Sequence, residues 1–215
     1  MTTSTATIER LPLDEAFAAA APSRSIQRAA AALRDHGFDV EVVADGDSAR
    51  DLVLSRIAPG SEVHSGASAT LDSIGLTEAL ERSGDYLPLR PRIWAMDRTT
   101  QADAMRKLGS APDVFVNSAH AITEDGSLVI ASATGSQLGP IASGAGHVYF
   151  VVGAQKVVPD VAAAFRRIET YVFPLEDARA QAAYGMHSAL NKTLVLSGER
   201  PGRATVVIVE EPIGF

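Results

Sequence analysis

Three stretches of the 215-residue chain concentrate groups able to bind or react. In the first, His64-Ser65-Gly66-Ala67-Ser68-Ala69-Thr70, small residues and hydroxyls follow a short apolar run. If a strand ends and a helix begins there, the backbone N–H groups near Gly66 face a concavity. With the Ser68 and Thr70 hydroxyls they suit a phosphate- or sulfate-sized anion. The same residues also make an ordinary strand–helix turn in which serine caps the helix. The stretch is neither a Walker loop nor the dinucleotide pattern G-x-G-x-x-G.

The second stretch, Asn117-Ser118-Ala119-His120-Ala121-Ile122-Thr123-Glu124-Asp125-Gly126, is polar and follows a buried-strand pattern. Strand ends frame ligand crevices in open α/β sheets, which makes Asn117 a binding candidate. Glu124, Asp125 and His120 are the local groups that can move protons, and they are the catalytic candidates. Partial burial beside Asp125 would raise the pKa of Glu124 and suit it to act as a base or nucleophile. Against this stands a hairpin turn, which Asp125-Gly126 favours. The third stretch runs from Ala131 to Gly146. Its small residues let backbone approach a ligand closely, and Gly135, Ser136 and Gln137 are its binding candidates. A mobile surface connection is the alternative, although loops of this length in compact domains are often functional.

Other chemistries find little support. The five histidines show no metal-ligand spacing, and no cysteine is present to complete a site. Without cysteine the chain offers no disulfide, no thiolate nucleophile and no thiolate for an iron–sulfur cluster, so it should hold no such cluster alone. No Gly-x-Ser-x-Gly elbow raises a serine triad above background. Trp94 and the methionines read as core or loop filler.

The elements that must position these stretches follow from periodicity. Ser23 to His36 reads as a helix with Ile26, Ala29, Ala30 and Leu33 on one face, Ser23 capping it and Gly37 closing it. Phe38, Val40 and Val42 alternate as a strand. Ala49, Leu52, Val53 and Ile57 mark a second helix; Glu62 to Ser65 is a strand, and Leu71, Ile74 and Leu80 share a helical face. Asp85 to Arg92, with Pro88 and Pro91, reads as a loop. A short helix from Thr99 to Leu108 stops at Gly109. Strand-like runs follow at Asp113–Asn117, Ser127–Ala131 and His147–Val152. A helix begins at Pro159-Asp160, with Val161, Phe165 and Ile168 inward and Arg166 and Arg167 outward. Another spans Leu175 to Tyr184, and strands at Thr193–Leu196 and Thr205–Glu210 complete the pattern. Alternating strands and helices predict a three-layer α/β/α sandwich with a mostly parallel sheet. Residues 1–22 read as an alanine-rich helical arm and 23–215 as one α/β domain.

Composition agrees with a globular protein: 46% of residues are apolar and 21% charged, with 19 basic against 26 acidic side chains and a net charge of −7. That balance argues against a nucleic-acid partner. No signal-peptide pattern opens the sequence and no apolar run would span a bilayer, so no membrane contact and a cytoplasmic address are expected.

Several ordered segments carry a resemblance. Gly66-Ala67-Ser68-Ala69-Thr70-Leu71-Asp72-Ser73-Ile74-Gly75, Asn117 to Ile130, the Gly135 loop, Val151 to Val158, Pro174 to Arg179 and Glu199 to Phe215 resemble the lactate-utilisation (LUD) domain family. The resemblance covers roughly residues 25 to 215. It implies a fold similar to ribose-5-phosphate isomerases and coenzyme A transferases, with Gly66 to Thr70 as an anion-binding loop. It also implies work alongside iron–sulfur proteins in lactate oxidation. Relatives carry Asp-Gly-x-Gly-Asn-Arg where this chain has Ser132-Ala133-Thr134-Gly135-Ser136-Gln137. They often carry Asn-Lys where it has Gln155-Lys156, which keeps the cation and adds Lys156 to the binding candidates.

The expected function is therefore support of lactate utilisation, binding an anionic small molecule or iron–sulfur oxidoreductase subunits. The rival is a stand-alone enzyme acting on a phosphorylated or acyl-CoA metabolite through Glu124 or Asp125. A regulatory or scaffolding module is the third reading. Analogy of fold does not choose among them.

Overall fold

A computed structural model describes residues 12–215. The chain forms β1 (Asp39–Val43), β2 (Glu62–Ser65), β3 (Leu87–Pro88), β4 (Val114–Asn117), β5 (Ala121–Thr123), β6 (Leu128–Ser132), β7 (His147–Gly153), β8 (Val157–Val158), β9 (Lys192–Leu196) and β10 (Ala204–Val209). Its helices are α1 (Ser23–Asp35), α2 (Gly46–Arg56), α3 (Ala69–Ser73), α4 (Leu76–Arg82), α5 (Leu89–Trp94), α6 (Ala102–Ser110), α7 (Val161–Arg167) and α8 (Phe173–Tyr184).

Six strands make one sheet, in the order β1-β10-β7-β4-β2-β3, with every neighbouring pair parallel. Side chains alternate between its faces, as the two-residue strand period requires. Phe115, Val148, Phe150, Val152, Val206 and Ile208 pack on the α1 side, against Ile26, Ala29, Ala30 and Leu33. Val114, Val116, Tyr149, Val151, Val207 and Val209 pack on the other side, against α2, α3 and α4. Both faces are covered, which is why these strands read as nearly continuous apolar runs. The helix–sheet–helix layering matches the three-layer expectation.

Local periodicity did not reveal a second sheet of mixed polarity, β8-β5-β6-β9. Its hairpin β5–β6 is antiparallel and β5 runs parallel to β8. Ile122, Leu128 and Ile130 of this sheet join the α1-side core. Ala121, Val129, Ala131 and Val158 face α7 instead.

Several local expectations need correction. Pro22, not Ser23, occupies the N-cap of α1, and no side chain caps it. Gly37 does close that helix, at φ 91°, where a Cβ would meet the Glu199 carbonyl oxygen at 2.1 Å. The 85–92 segment is not all loop: β3 pairs with β2 and α5 begins at Leu89, because Pro91 falls in the first helical turn, where its missing N–H costs nothing. Helix α6 runs through Gly109 to Ser110. The α7 face is rotated from the expected one: Arg167 is fully buried and Phe165 is 38% exposed. Residues 1–11 of the expected arm lie outside the described residues. Residues 12–22 hold a single 3-10 turn, Glu15–Ala18, docked by Asp14 N–H to Thr170 O and Ala21 N–H to Ala154 O.

Candidate functional site

Strands β7, β4 and β2 are neighbours and run the same way, with Ser65 level with Val116 and Val116 level with Tyr149. Their C-terminal ends therefore share one edge, and the segments leaving them converge. These segments are Gly66–Thr70 after β2, Ser118–His120 after β4 and Ala154–Lys156 after β7. The Ala133–Gln137 segment after β6 joins them around a cavity of about 830 Å³. Gly66, Ser68, Thr70, Asn117, Gly135, Ser136, Gln137 and Lys156 all line it, together with His120.

The loops are tied to one another. Asn117, 2% exposed, donates from Nδ2 to Gln137 Oε1 at 3.2 Å, and Gln137 donates to the Ala131 carbonyl at 3.0 Å. Gly66 is required where it stands, because a Cβ there would lie 2.5 Å from Asn117 Oδ1. Ser68 Oγ accepts from Leu71 N–H and caps α3, as the turn alternative expects. Thr70 Oγ1 accepts from Lys156 Nζ at 2.6 Å, and Ser118 Oγ lies 3.1 Å from the same amine. The hydroxyls of the first loop thus serve the helix and Lys156.

Lys156 is 2% exposed. Burial first, and the Arg167 guanidinium second, push its amine well below the ordinary lysine range. No carboxylate pairs with Lys156 or Arg167 among the described residues. Arg167 donates to the carbonyls of Gln155 and His120, which explains why it turns inward from α7. His120 Nδ1 accepts from Ala131 N–H at 3.1 Å, which leaves the proton of the neutral ring on Nε2. Burial, with Lys156 and Arg167 nearby, lowers its pKa to about 3. His64 also lines the cavity, and burial and Arg90 lower its pKa to about 4.

Glu124 and Asp125 sit elsewhere. They occupy the β5–β6 turn, closed by Gly126 N–H to Thr123 O and Thr123 N–H to Ser127 O, with Gly126 at φ 86°. Neither lines the cavity. Arg28 Nε donates to Glu124 Oε2 at 2.8 Å. Hydrogen bonding to Ser25, then to Arg28, holds the Glu124 carboxyl below its usual range, opposite to the rise expected from the sequence. Glu124→Gln should therefore change stability by less than about 1 kcal/mol, as for a partly exposed ion pair, and leave cavity binding unchanged. Denaturant melts and a ligand titration of the purified variant check both outcomes.

A cationic wall, which no motif or spacing in the sequence marks, completes the cavity. Arg90, Arg98, Arg106, Lys156 and Arg179 line the cavity against a single acidic side chain, Glu176, which Arg179 engages at 2.7 and 2.8 Å. Arg90 Nε and one terminal nitrogen are buried without a hydrogen-bond partner, Glu81 lying 3.6 Å away. Its guanidinium stacks 4.3 Å over Trp94, which is 54% exposed and lines the cavity, so Trp94 is not filler. The available signal was the run of basic residues from Arg90 to Arg106 in an otherwise acidic chain. No cluster of three His, Cys, Asp or Glu is placed to hold a metal among the described residues, and no described helix is long and apolar enough to cross a membrane.

Fold and site together define a class: a layered α/β protein whose parallel strands open, at their C-terminal ends, into a cationic cavity. Within that class the chain belongs to the LUD domain family, whose model matches residues 26–209. A crystal structure of a DUF162 family protein from Deinococcus radiodurans is similar in fold, with a TM-score of 0.55. That match covers 87% of this chain and 97% of the other at 12% identity. No functionally curated protein matches the sequence.

Proposed function

We propose that this LUD-domain protein supports lactate utilisation by binding a small anionic molecule in the cavity at the strand ends. The observation that carries the reading is the lining itself: four arginines and Lys156 face one acidic side chain in a chain of net charge −7. Lys156 is buried and Arg90 and Arg179 are half-buried, and such cations are stabilised by an anion that accepts their hydrogen bonds, with the exposed Arg98 and Arg106 at the margin adding attraction. Family membership supports the lactate context. Oxidising lactate removes two electrons, and a chain without cysteine supplies no thiolate for a cluster to take them. The electrons therefore pass to iron–sulfur partner subunits or to a separately bound acceptor, in the cytoplasm.

Titration with phosphate, a sugar phosphate, coenzyme A and lactate, following the amide resonances of Gly66–Thr70 and Ala133–Gln137, tests the reading. At least one anion should perturb both segments. Arg90→Gln should weaken that binding by about tenfold or more, the worth of one charge-assisted hydrogen bond. Silence from every anion, or an unchanged affinity in the variant, would remove the cavity from the function.

A further inference from the structure

Lys156 stands apart from the arginines around it. Its amine lies in the cavity wall, 2.6 Å from Thr70 Oγ1 and 3.1 Å from Ser118 Oγ. Thr70 Oγ1 donates to the Ile213 carbonyl at 3.4 Å and Ser118 Oγ to the Ala119 carbonyl at 3.2 Å, so both hydroxyls accept from the amine, and the two hydrogens of a neutral amine satisfy them while its lone pair stays free. Its charged neighbour is another cation, Arg167, which is fully buried. A protonated ammonium here would be buried beside a like charge, with no carboxylate at ion-pair distance among the described residues, an arrangement that favours the neutral amine. A neutral amine carries a lone pair and is a nucleophile. The arginines therefore remain to hold an anion, and Lys156 is left to do something else.

We propose that the Lys156 amine, set in the cavity wall between Thr70 and Ser118, condenses with the carbonyl of an anionic aldehyde or ketone to form an imine. This rests on the anion-binding reading of the same cavity, and adds to it the class of molecule bound. The amine nitrogen forms a bond to the carbonyl carbon, and the carbonyl π pair moves to oxygen. The two amine hydrogens then leave with that oxygen as water, so the step consumes no oxidant or reductant. Thr70 and Ser118 hold the nitrogen, and the neutral His120 ring lines the same space with Nε2–H available to the carbonyl oxygen. Arg90 and its neighbours hold the carboxylate or phosphate of the substrate.

The chain contains only three lysines, and the other two, Lys107 and Lys192, are exposed and serve as internal controls. The test uses wild-type protein at pH 7 with sodium cyanoborohydride, which reduces an imine to a stable secondary amine. Pyruvate is the carboxylate probe, glycolaldehyde phosphate the phosphate probe and acetone the neutral one. Peptide mapping locates the adduct. Lys156 should be labelled by at least one anionic probe about tenfold faster than Lys107 or Lys192, which lie outside the cavity lining and gain nothing from its anion-holding arginines. Which anionic probe reacts tells carboxylate from phosphate. Labelling of Lys156 no faster than the exposed lysines would overturn the proposal and leave Lys156 a tie between loops. Acetone reacting at Lys156 as fast as the anions would overturn its anionic part. Amide shifts recorded with the same probes, without reductant, separate the two readings. Shifts without labelling refute the imine alone, whereas neither shifts nor labelling refutes both.

Discussion

Arg203→Ala should be the most damaging single change outside the apolar core, lowering stability by roughly 3–5 kcal/mol. Arg203 lies just before β10 and is 6% exposed. Its guanidinium donates to the carbonyls of Ala145 at 3.3 Å and of Pro140 and Ile141 at 3.0 Å each, and it pairs with Glu199. The three carbonyls belong to the π turn at Pro140–Gly144 and its C-cap. Truncation leaves them, and the Glu199 carboxylate, without the group that satisfied them. Arg203→Lys should recover only part of the loss, because one ammonium cannot span three carbonyls and a carboxylate as a planar fork does. Gly139 and Pro140 line the cavity, so the alanine variant should bind anions more weakly as well. Urea unfolding of both variants measures the effect; a loss below about 1 kcal/mol for alanine would show the clamp to be peripheral.

Acidification should be the second large effect. His64 and His120 are held neutral, with pKa values lowered to about 4 and about 3, mainly by burial. In the unfolded chain each takes up a proton near pH 6.5, before the folded protein does. The stability they confer is therefore whole above about pH 6.5, declines as the pH falls, and stops declining below the folded values. The combined loss should be on the order of 3 kcal/mol, less than the full shifts would give because both rings border an open cavity. Urea melts at pH 7.5, 6 and 5 follow it above the range where carboxylates titrate. A His64→Phe, His120→Asn double variant should flatten the profile. A wild-type protein equally stable at pH 7.5 and 5 would contradict the neutral, buried state of both rings.

Periodicity resolved the elements whose burial is one-sided or complete. Glu62–Ser65 is a strand as read, and α1 keeps Ile26, Ala29, Ala30 and Leu33 on one buried face. The first two chemical stretches were legible because they follow β2 and β4, parallel strands that deliver their C-terminal ends to one edge, whereas the third leaves β6 of the second sheet and reaches the cavity only through the fold. The cationic wall was not, since Arg90, Arg98, Arg106 and Arg179 come from helices and connections whose spacing says nothing of a common target. Arg167 shows the limit plainly. Beside Arg166 it looked like a solvated helix face, yet its partners are carbonyls of Gln155 and His120, which only the folded chain brings within reach. Glu124 shows the reverse: its neighbours in sequence suggested a proton carrier, while its partner in space is Arg28 on α1.

The division between the lysine cradle and the arginine wall bears on how such a protein diverges. Arg90, Trp94, Arg98 and Arg106 all belong to one excursion of the chain, between β3 and β4. Thr70, Ser118, Lys156 and Arg167 belong to others, anchored on the central strands and α7. Substitutions or length changes within the excursion alter the charge and shape presented to a ligand without moving the groups that hold Lys156. On the proposed chemistry, much of the ligand preference and the lysine that reacts sit in separately mutable parts of the sequence, with Arg179 on α8 the one arginine of the wall outside 89–110.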